Sequence, residues 1–261
     1  MQVRLDGRSA LITGGSLGLG RAMGLRFAEA GADVALVARR PEVLERARAE
    51  VEAKADGGRV SAHACDVTDA RQLADLYERV VADFGKLDIL VNNAGTSATA
   101  RFEDIIDEAW RTDLDLKLFA AIRLCRLAFP AMKRRRWGRI LFVLNTQAKA
   151  PAAGSAPTAV SRAAGLALAK VLAGEGAPHN VLVNALCPGY FVTDQWARRH
   201  AARNDGTSFD EFVAGMGRPL PLGRMGRAEE FANVACFLAS DAASYVTGAA
   251  VNVDGGRSPV V

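Results

Sequence analysis

Short apolar runs alternate with longer amphipathic stretches along the whole chain. The apolar runs predict buried β-strands at Ser9–Thr13, Asp33–Val37, Val60–Ala64, Leu87–Val91, Arg139–Leu144, Val181–Leu186 and Ala249–Val253. The stretches between them have helical spacing, for example at Arg21–Ala30, Glu42–Ala55, Ala70–Phe84 and Phe102–Met132. Alternation of strands and helices is typical of a parallel sheet with helices on both faces. The pattern therefore predicts a Rossmann-type, doubly wound α/β fold with a single domain over residues 1–261.

One segment departs from this alternation. Tyr190–Leu222 follows a predicted strand, contains no obvious next strand and is rich in Arg, Gly and Pro. An open α/β sheet binds its ligands at the carboxyl ends of the strands, and long loops there often cover the ligand. We therefore predict a substrate lid at about residues 190–222.

Composition narrows the classes of partner. Hydrophobic residues make up 50% of the chain and the net charge is only +4, which argues against nucleic acid or a membrane surface as a partner. The first residues have no signal-peptide pattern, and no uncharged apolar segment reaches the ~18 residues of a membrane helix. We expect a cytoplasmic protein. Four widely spaced cysteines without metal-binding spacing predict buried free thiols and no metal site: Cys65, Cys125, Cys187 and Cys236.

A glycine-rich loop follows the first predicted strand. It reads Thr13-Gly14-Gly15-Ser16-Leu17-Gly18-Leu19-Gly20, and a predicted helix follows at once. Glycines permit a tight turn and close approach of a pyrophosphate, while the helix N-terminus supplies unpaired N–H donors. Such a turn can also be an ordinary connection, but here the strand, loop and helix all occur in the first βα unit. The segment predicts a dinucleotide site.

The residues after the second predicted strand bear on the choice of cofactor. NAD enzymes commonly place an acidic residue there to hold the ribose 2′-hydroxyl. This chain has Arg39 and Arg40 instead. A planar guanidinium pairs well with phosphate oxygens, so Arg39, with Ser16 or Arg40 beside it, favours the 2′-phosphate of NADP. The alternative is a solvated pair of charges at the start of the next helix.

These and later motifs resemble those of the short-chain dehydrogenase/reductase family over almost the whole chain. The matching segments are the TGxxxGxG loop from Thr13, Asp66-Val67, Asn92-Asn93-Ala94-Gly95, Pro188-Gly189 with Thr193, Gly223-Arg224, Glu229-Glu230, Phe237-Leu238-Ala239-Ser240, Gly248 and Val253-Asp254-Gly255-Gly256. The resemblance implies a seven-stranded sheet in the order 3-2-1-4-5-6-7. It also implies a homotetramer in which the long helix Phe102–Met132 and a helix from Thr158 to Gly176 pack against symmetry mates.

The resemblance also implies a set of cofactor-binding residues at the carboxyl ends of the strands. They are Gly14, Ser16, Leu17, Gly18, Leu19, Gly20, Arg39, Asp66, Val67, Asn93, Ala94, Gly95, Arg162, Pro188, Gly189, Phe191 and Thr193. Within this set, Asp66 and Val67 are expected to contact the adenine. The segment that contains Thr193 is expected to contact the nicotinamide carboxamide.

The catalytic positions depart from the family pattern. The family uses a Tyr, a Lys four residues later, a Ser about thirteen residues upstream and an Asn on the preceding helix; here these positions hold Thr158, Arg162, Asn145 and Lys117. An aliphatic hydroxyl is a weaker acid than a phenol by about five pKa units, or roughly 7 kcal/mol. Arg162 stays protonated and cannot relay protons as a Lys can. Tyr-based carbonyl reduction is therefore not available at these positions.

Other side chains are candidates for the missing functions. Lys117 is either an electrostatic stabiliser or acid within the site, or a surface or structural residue. Tyr190 either brings a phenol to the nicotinamide or packs under the lid. Lys149 either faces the substrate or is solvated. Asn145 and Thr146 have groups that can hydrogen-bond a carbonyl oxygen.

A basic run lies on the predicted lid. Trp196-Ala197-Arg198-Arg199-His200, together with Arg203, is either a receiver for an anionic substrate or a solvated helix face.

Two functional hypotheses follow. The first is an NADP(H)-dependent oxidoreductase that transfers hydride to or from a small carbonyl, alcohol or enone, with catalytic candidates Asn145, Thr158, Arg162, Lys117 and Tyr190. The second is a catalytically inactive dinucleotide-binding protein that acts as a sensor or scaffold. The intact glycine loop argues against a third hypothesis, a non-redox lyase or dehalogenase.

Overall fold

Parallel strands form the central sheet of the computed structural model, which describes residues 3–261. The strands of this sheet are β1 (Ser9–Thr13), β2 (Asp33–Ala38), β3 (Val60–Ala64), β4 (Ile89–Asn92), β5 (Gly138–Val143), β6 (Val181–Pro188) and β7 (Ala250–Val253). They are hydrogen-bonded in the order β3-β2-β1-β4-β5-β6-β7, and every pair is parallel. This confirms the predicted single-domain α/β fold and its strand order.

The helices follow the strands and cover both faces of the sheet. They are α1 (Gly18–Glu29), α2 (Pro41–Glu52), α3 (Ala70–Phe84), α4 (Asp107–Leu114), α5 (Ala120–Arg135), α6 (Thr158–Gly176), α7 (Asp194–Arg203), α8 (Phe209–Gly217) and α9 (Ala228–Ala239). Their ends follow ordinary capping rules. Asp69, for example, accepts hydrogen bonds from the first backbone N–H groups of α3, and Gly85 ends that helix with φ +80°.

The sheet separates two hydrophobic cores. Leu11 and Leu90 belong to the core under α3, α5 and α6. Ile12 and Val91, one residue further along the same strands, belong to the core under α1, α2 and α9. A strand buried on both faces needs apolar side chains at consecutive positions, which explains the continuous apolar runs in the sequence.

The predicted helix Phe102–Met132 is wrong in its bounds, and it contains an irregular turn. Phe102–Asp104 is a short 3₁₀ turn. Ile105 and Ile106 have an extended backbone, so the α-helix begins only at Asp107. Between α4 and α5, Asp115–Phe119 forms a turn of π-helix. Such turns often occur at functional sites. This one contains Lys117.

The segment after β6 has a small core of its own. Trp196, Phe212, Leu220 and Met225 are buried together between α7, α8 and the loop that follows them. The segment had no obvious strand in its sequence, and it holds one short strand, Phe191–Val192, which pairs in parallel with Gly226–Arg227. This short pair closes the segment at its base.

The four cysteines are free and buried, as predicted. Burial raises the pKa of the Cys125 thiol to about 12 and that of Cys65 to about 11. Within residues 3–261, no helix is long and apolar enough to cross a membrane. No group of three or more His, Cys, Asp or Glu side chains in the same part of the chain is placed to hold a metal ion.

Candidate functional site

A cavity of about 470 Å³ opens at the carboxyl ends of the central strands. Its walls come from the loops after β1, β4, β5 and β6, from the start of α6 and from the residues after β7. Many predicted site residues line it: Gly14, Leu17, Gly18, Leu19, Gly20, Asn93, Gly95, Asn145, Thr158, Arg162, Pro188, Gly189, Tyr190, Phe191 and Thr193. The fold therefore brings these residues together around one cavity, and their assignment to a cofactor stays a prediction.

The glycine loop has a backbone that requires glycine. Gly14 and Gly18 have φ values of +66° and +54°, in the left-handed region. At position 20, a Cβ atom would overlap the carbonyl group of Gly14. The loop therefore turns tightly and brings the N-terminus of α1 to the cavity.

Asp194 shows what the α1 N-terminus can bind. Asp194 is the first residue of α7, and its Oδ2 atom accepts a hydrogen bond of 3.0 Å from the Gly18 N–H. The Gly18 N–H lies in the first turn of α1 and has no partner within the helix, so an anionic acceptor can bind it. A carboxylate oxygen and a phosphate oxygen are both acceptors of this kind. The glycine loop thus fits the pyrophosphate of a dinucleotide.

The Asn92–Gly95 segment holds the loop in place. The Asn93 side chain donates to the Thr13 carbonyl at 2.8 Å, and the Asn93 and Ala94 N–H groups donate to Thr13 Oγ1 at 2.9 and 3.0 Å. Gly95 has its own role, because a Cβ there would overlap the guanidinium of Arg162.

The predicted adenine side lies along the same sheet edge, outside the cavity walls. Ser16, Asp66 and Val67 occupy the loops after β1 and β3, and Arg39 is exposed directly after β2. Asp66 Oδ1 accepts from the N–H and hydroxyl of Thr68, at 3.0 and 2.8 Å. These positions are neighbours because β1, β2 and β3 are adjacent.

Thr158 has a hydroxyl whose hydrogen bonds are all satisfied within the protein. Thr158 Oγ1 donates to the Ala98 carbonyl at 2.7 Å, and it accepts from the Ala98 N–H at 2.9 Å and from Lys117 Nζ at 2.8 Å. A hydroxyl has one proton to donate and two lone pairs. Thr158 borders the cavity, but these three bonds use its full capacity.

Lys117 lies behind Thr158, not in the cavity. Its side chain is 0% exposed and pairs with Asp113, the residue one turn earlier. Asp113 Oδ2 also accepts from Ser161 Oγ at 2.6 Å. Burial lowers the pKa of Lys117, while the hydrogen bond that Lys117 donates to Asp113 opposes that shift. This network joins the π-helical turn to the start of α6.

Arg162 lies one helical turn after Thr158 and faces the cavity. Its Nη1 donates to the carbonyl of Val143, the last residue of β5, at 2.8 Å. Burial lowers the pKa of Arg162 to about 10, and the Asp113 carboxylate opposes the shift. Arg162 therefore remains a cation at neutral pH, placed between β5 and the glycine-rich turn after β4.

Comparison with known proteins places these features in a family. The sequence model described as enoyl-(acyl carrier protein) reductase matches residues 14–258. The chain belongs to the short-chain dehydrogenase/reductase family. One relative is the 2-dehydro-3-deoxy-D-gluconate 5-dehydrogenase of Pseudoalteromonas atlantica, which is 38% identical over 252 residues, or 97% of this chain and 96% of the relative.

Two solved structures are also similar. L-sorbose reductase from Gluconobacter frateurii, complexed with NADPH and L-sorbose, has a TM-score of 0.95 and 33% identity over 100% of both chains. A short-chain oxidoreductase from Pseudomonas aeruginosa PAO1, described as containing an atypical catalytic center, has a TM-score of 0.92 and 36% identity, covering 99% of this chain and 100% of that one. These three relatives are oxidoreductases, and one of the two structures holds NADPH.

Arg257 is a residue of the cavity wall that the sequence analysis missed. Its guanidinium donates to Thr146 Oγ1 at 3.0 Å and to the Tyr190 hydroxyl at 3.1 Å. The same group lies 4.3 Å from the centroid of the Tyr190 ring, which also packs on Trp196. The only signal for Arg257 was its place directly after the family's C-terminal glycine motif.

Asn145, a predicted catalytic candidate, also lines the cavity, and its Oδ1 accepts from the Ala148 N–H at 3.1 Å.

The remaining basic candidates separate into two groups. Arg198 and Arg199 line the cavity, and Arg199 lies over the Trp196 ring at 4.7 Å. Arg203 instead pairs with Asp205 at 2.7 Å. Lys149 donates to the Ala250 carbonyl at 2.6 Å and is not part of the cavity wall. Only part of the basic run therefore faces the candidate site.

Proposed function

We propose that this chain is an NADP(H)-dependent oxidoreductase that transfers hydride to or from a small carbonyl, alcohol or enone substrate. The observation that carries the proposal is the intact glycine loop at the cavity, where the Gly18 N–H already binds a carboxylate oxygen. When bound, the nicotinamide supplies or accepts the hydride. The likeness to a reductase complexed with NADPH supports the same assignment.

The chain's own residues divide the remaining work in a way that differs from the family pattern. Arg162 supplies a cation at the wall where the family places its Lys, and Thr158 holds the loop at Ala98. The Tyr190 hydroxyl accepts a hydrogen bond from Arg257, so its own proton is free to point into the cavity. We propose Tyr190 as the proton-transfer group, with Asn145 and Thr146 beside it. In this arrangement Lys117 positions Thr158 and does not contact the substrate.

Cofactor choice is the direct test of the dinucleotide assignment. We expect NADPH to bind more tightly than NADH, because the exposed Arg39 after β2 would pair with the 2′-phosphate. Arg39→Asp should remove this preference, since one hydrogen bond to a charged group contributes about 1.5–3 kcal/mol. Fluorescence titration with both cofactors measures the ratio of their dissociation constants.

A matched control comes from α2. Arg46 is exposed on the same helix, and Arg46→Asp makes the same change of charge away from the sheet edge. It should leave the ratio unchanged. If Arg39→Asp also leaves the ratio unchanged, the assignment of Arg39 to the 2′-phosphate is wrong.

The satisfied hydroxyl of Thr158 favours a second candidate, a dinucleotide-binding sensor without catalysis. Turnover separates the two functions. NADPH oxidation in the presence of a panel of ketones, aldehydes and enones should show activity for the oxidoreductase. Tight NADPH binding without turnover of any compound would support the sensor, in which residues 190–222 report occupancy of the site.

A further inference from the structure

The cavity contains more positive charge than a dinucleotide site at the glycine loop explains. Among residues 3–261, Asp194 is the one carboxylate in its wall. Against it stand four arginines that line the cavity, namely Arg162, Arg198, Arg199 and Arg257. Arg162 is directed to the Val143 carbonyl, and Asp194 is directed to Gly18, on the glycine-loop side. The excess of positive charge therefore concentrates toward Arg257 and the lid.

Arg257 has no carboxylate partner within residues 3–261. Two of its five N–H donors bind the neutral oxygens of Thr146 and Tyr190, and three remain for another acceptor. Neutral partners orient the guanidinium but do not neutralise it. A partly buried cation without a counter-ion attracts an anion more strongly than a fully solvated one does.

The backbone that carries Arg257 is fixed in position. Asp254 accepts hydrogen bonds from the N–H groups of Gly256 and Ser258, at 3.0 and 2.6 Å, and so forms the turn that contains Arg257. The Gly255 carbonyl accepts from the Leu222 N–H at 3.3 Å, which ties the same turn to the end of the lid segment. The guanidinium is therefore held in place before any ligand binds.

A guanidinium pairs with a carboxylate through two parallel hydrogen bonds. We propose that Arg257 binds a carboxylate group of the substrate, so that the substrate class is a small oxo- or hydroxycarboxylic acid. This inference rests on the proposed oxidoreductase function. Thr146 and Tyr190, which hold Arg257, would then lie beside the group that is reduced or oxidised.

The test compares carboxylates with their neutral esters. Acetate, acetoacetate and levulinate are titrated into the NADPH-saturated protein by calorimetry, and methyl acetoacetate and methyl levulinate are the uncharged counterparts. We expect the keto acids to bind more tightly than their esters. Arg257→Met should weaken acetoacetate or levulinate binding about tenfold or more while leaving the dissociation constant of NADPH unchanged. Arg257→Lys should retain part of the affinity, since it keeps the charge but loses the planar pair of donors.

Arg134→Met is the matched control, because Arg134 is exposed in the last turn of α5, before β5 and away from the cavity. It should bind every probe as the unmodified protein does. Equal binding of acids and esters, no binding of any of the three acids, or unchanged acid binding in Arg257→Met would overturn the proposal. Loss of NADPH affinity in Arg257→Met would instead assign Arg257 to the cofactor and also overturn it.

Failure of the oxidoreductase proposal has a different signature. If the unmodified protein does not bind NADPH, the dinucleotide assignment fails. The acid and ester titrations without cofactor still decide whether Arg257 binds carboxylates.

Discussion

At the scale of single residues, Thr158 occupies a catalytic position of the family without a free hydroxyl. It stands where the family has its acid, yet its hydroxyl is bound to Ala98 and Lys117. We predict that Thr158→Val lowers turnover of an accepted substrate by about tenfold or less, near the cost of one neutral hydrogen bond. The same change should lower the free energy of unfolding by about 1–3 kcal/mol, because Lys117 and the Ala98 N–H lose a buried acceptor.

Thr158→Ser, which keeps the hydroxyl, is the control and should behave as the unmodified protein does in urea unfolding and in turnover. A loss of a thousandfold or more in Thr158→Val, with NADPH affinity intact, would show that Thr158 is the proton donor after all.

Arg162→Ala tests the residue one helical turn after Thr158. It should weaken NADPH binding, because the cation at the cavity wall is lost.

His63 makes the stability of the fold depend on pH. Burial lowers the pKa of its ring, the Asp83 carboxylate at 3.3 Å opposes this, and Arg79 adds to the lowering. In the unfolded chain the ring binds its proton near pH ~6.5, but in the folded chain only at lower pH. Between these values the unfolded state holds more protons. The free energy of unfolding should therefore fall as the pH decreases below ~6.5.

Urea unfolding above and below pH ~6.5 measures this effect. His63→Gln should show a smaller loss on acidification, whereas His179→Gln, after the end of α6, should show the same loss as the unmodified protein. A slope that His63→Gln leaves unchanged would mean that other groups carry the acid sensitivity.

The relative positions of site residues were predictable from the sequence where their spacing along the chain determines them. Thr158 and Arg162 lie one helical turn apart at the start of α6, and the glycine loop has the expected backbone. The sequence could not show that the Thr158 hydroxyl uses all of its hydrogen-bonding capacity, since two of its bonds are to Ala98, 60 residues away along the chain. Arg257 was missed for the same reason: its contacts cross from the end of β7 to the ends of β5 and β6.

At the scale of elements, the strands were predicted well because burial on both faces leaves a continuous apolar run. The long helix was not. The π-helical turn at Asp115–Phe119 has no distinct sequence signal, because it depends on the buried pairing of Lys117 in the turn with Asp113 in α4. The helices of the lid were equally hard to separate, since their apolar residues form only a small local core.

The contact between α7 and the N-terminus of α1 predicts how the lid affects cofactor binding. Asp194 occupies the N–H group that a pyrophosphate oxygen is expected to use. Asp194→Asn keeps an acceptor but removes the negative charge. We therefore expect NADPH to bind about two- to fivefold more tightly, corresponding to ~0.3–1 kcal/mol for a charge at a helix terminus. Titration at low and high salt checks this, and the gain should shrink as salt screens the charge.

Asp210→Asn serves as the comparison, because Asp210 is an exposed acid in the first turn of α8. It should leave NADPH affinity unchanged. Weaker NADPH binding in Asp194→Asn would contradict this account, because it would show that the Asp194 carboxylate supports the cofactor site.

At the scale of the whole molecule, the outer face of α6 is unusually apolar. Val160 and Val171 are 49% and 57% exposed, although the opposite face of the same helix is buried in the core. Ala163 and Ala167 are exposed between them, and a Cβ added at Gly174 would meet open space. Small residues along a helix permit close approach of a second helix, and an apolar face of this kind often marks an interface between subunits.

We predict that the protein is a homotetramer in which the α6 helices of two subunits pack against each other. Val171→Lys places a charge on that apolar face, and an unpaired charge within an interface is costly. The variant should therefore dissociate into smaller species in light-scattering measurements at micromolar concentration, while keeping its secondary structure. Glu78→Lys, an exposed change on α3, should leave the mass unchanged. If the unmodified protein is monomeric at these concentrations, the α6 face has some role other than self-association, and its exposure in the single chain is the native state.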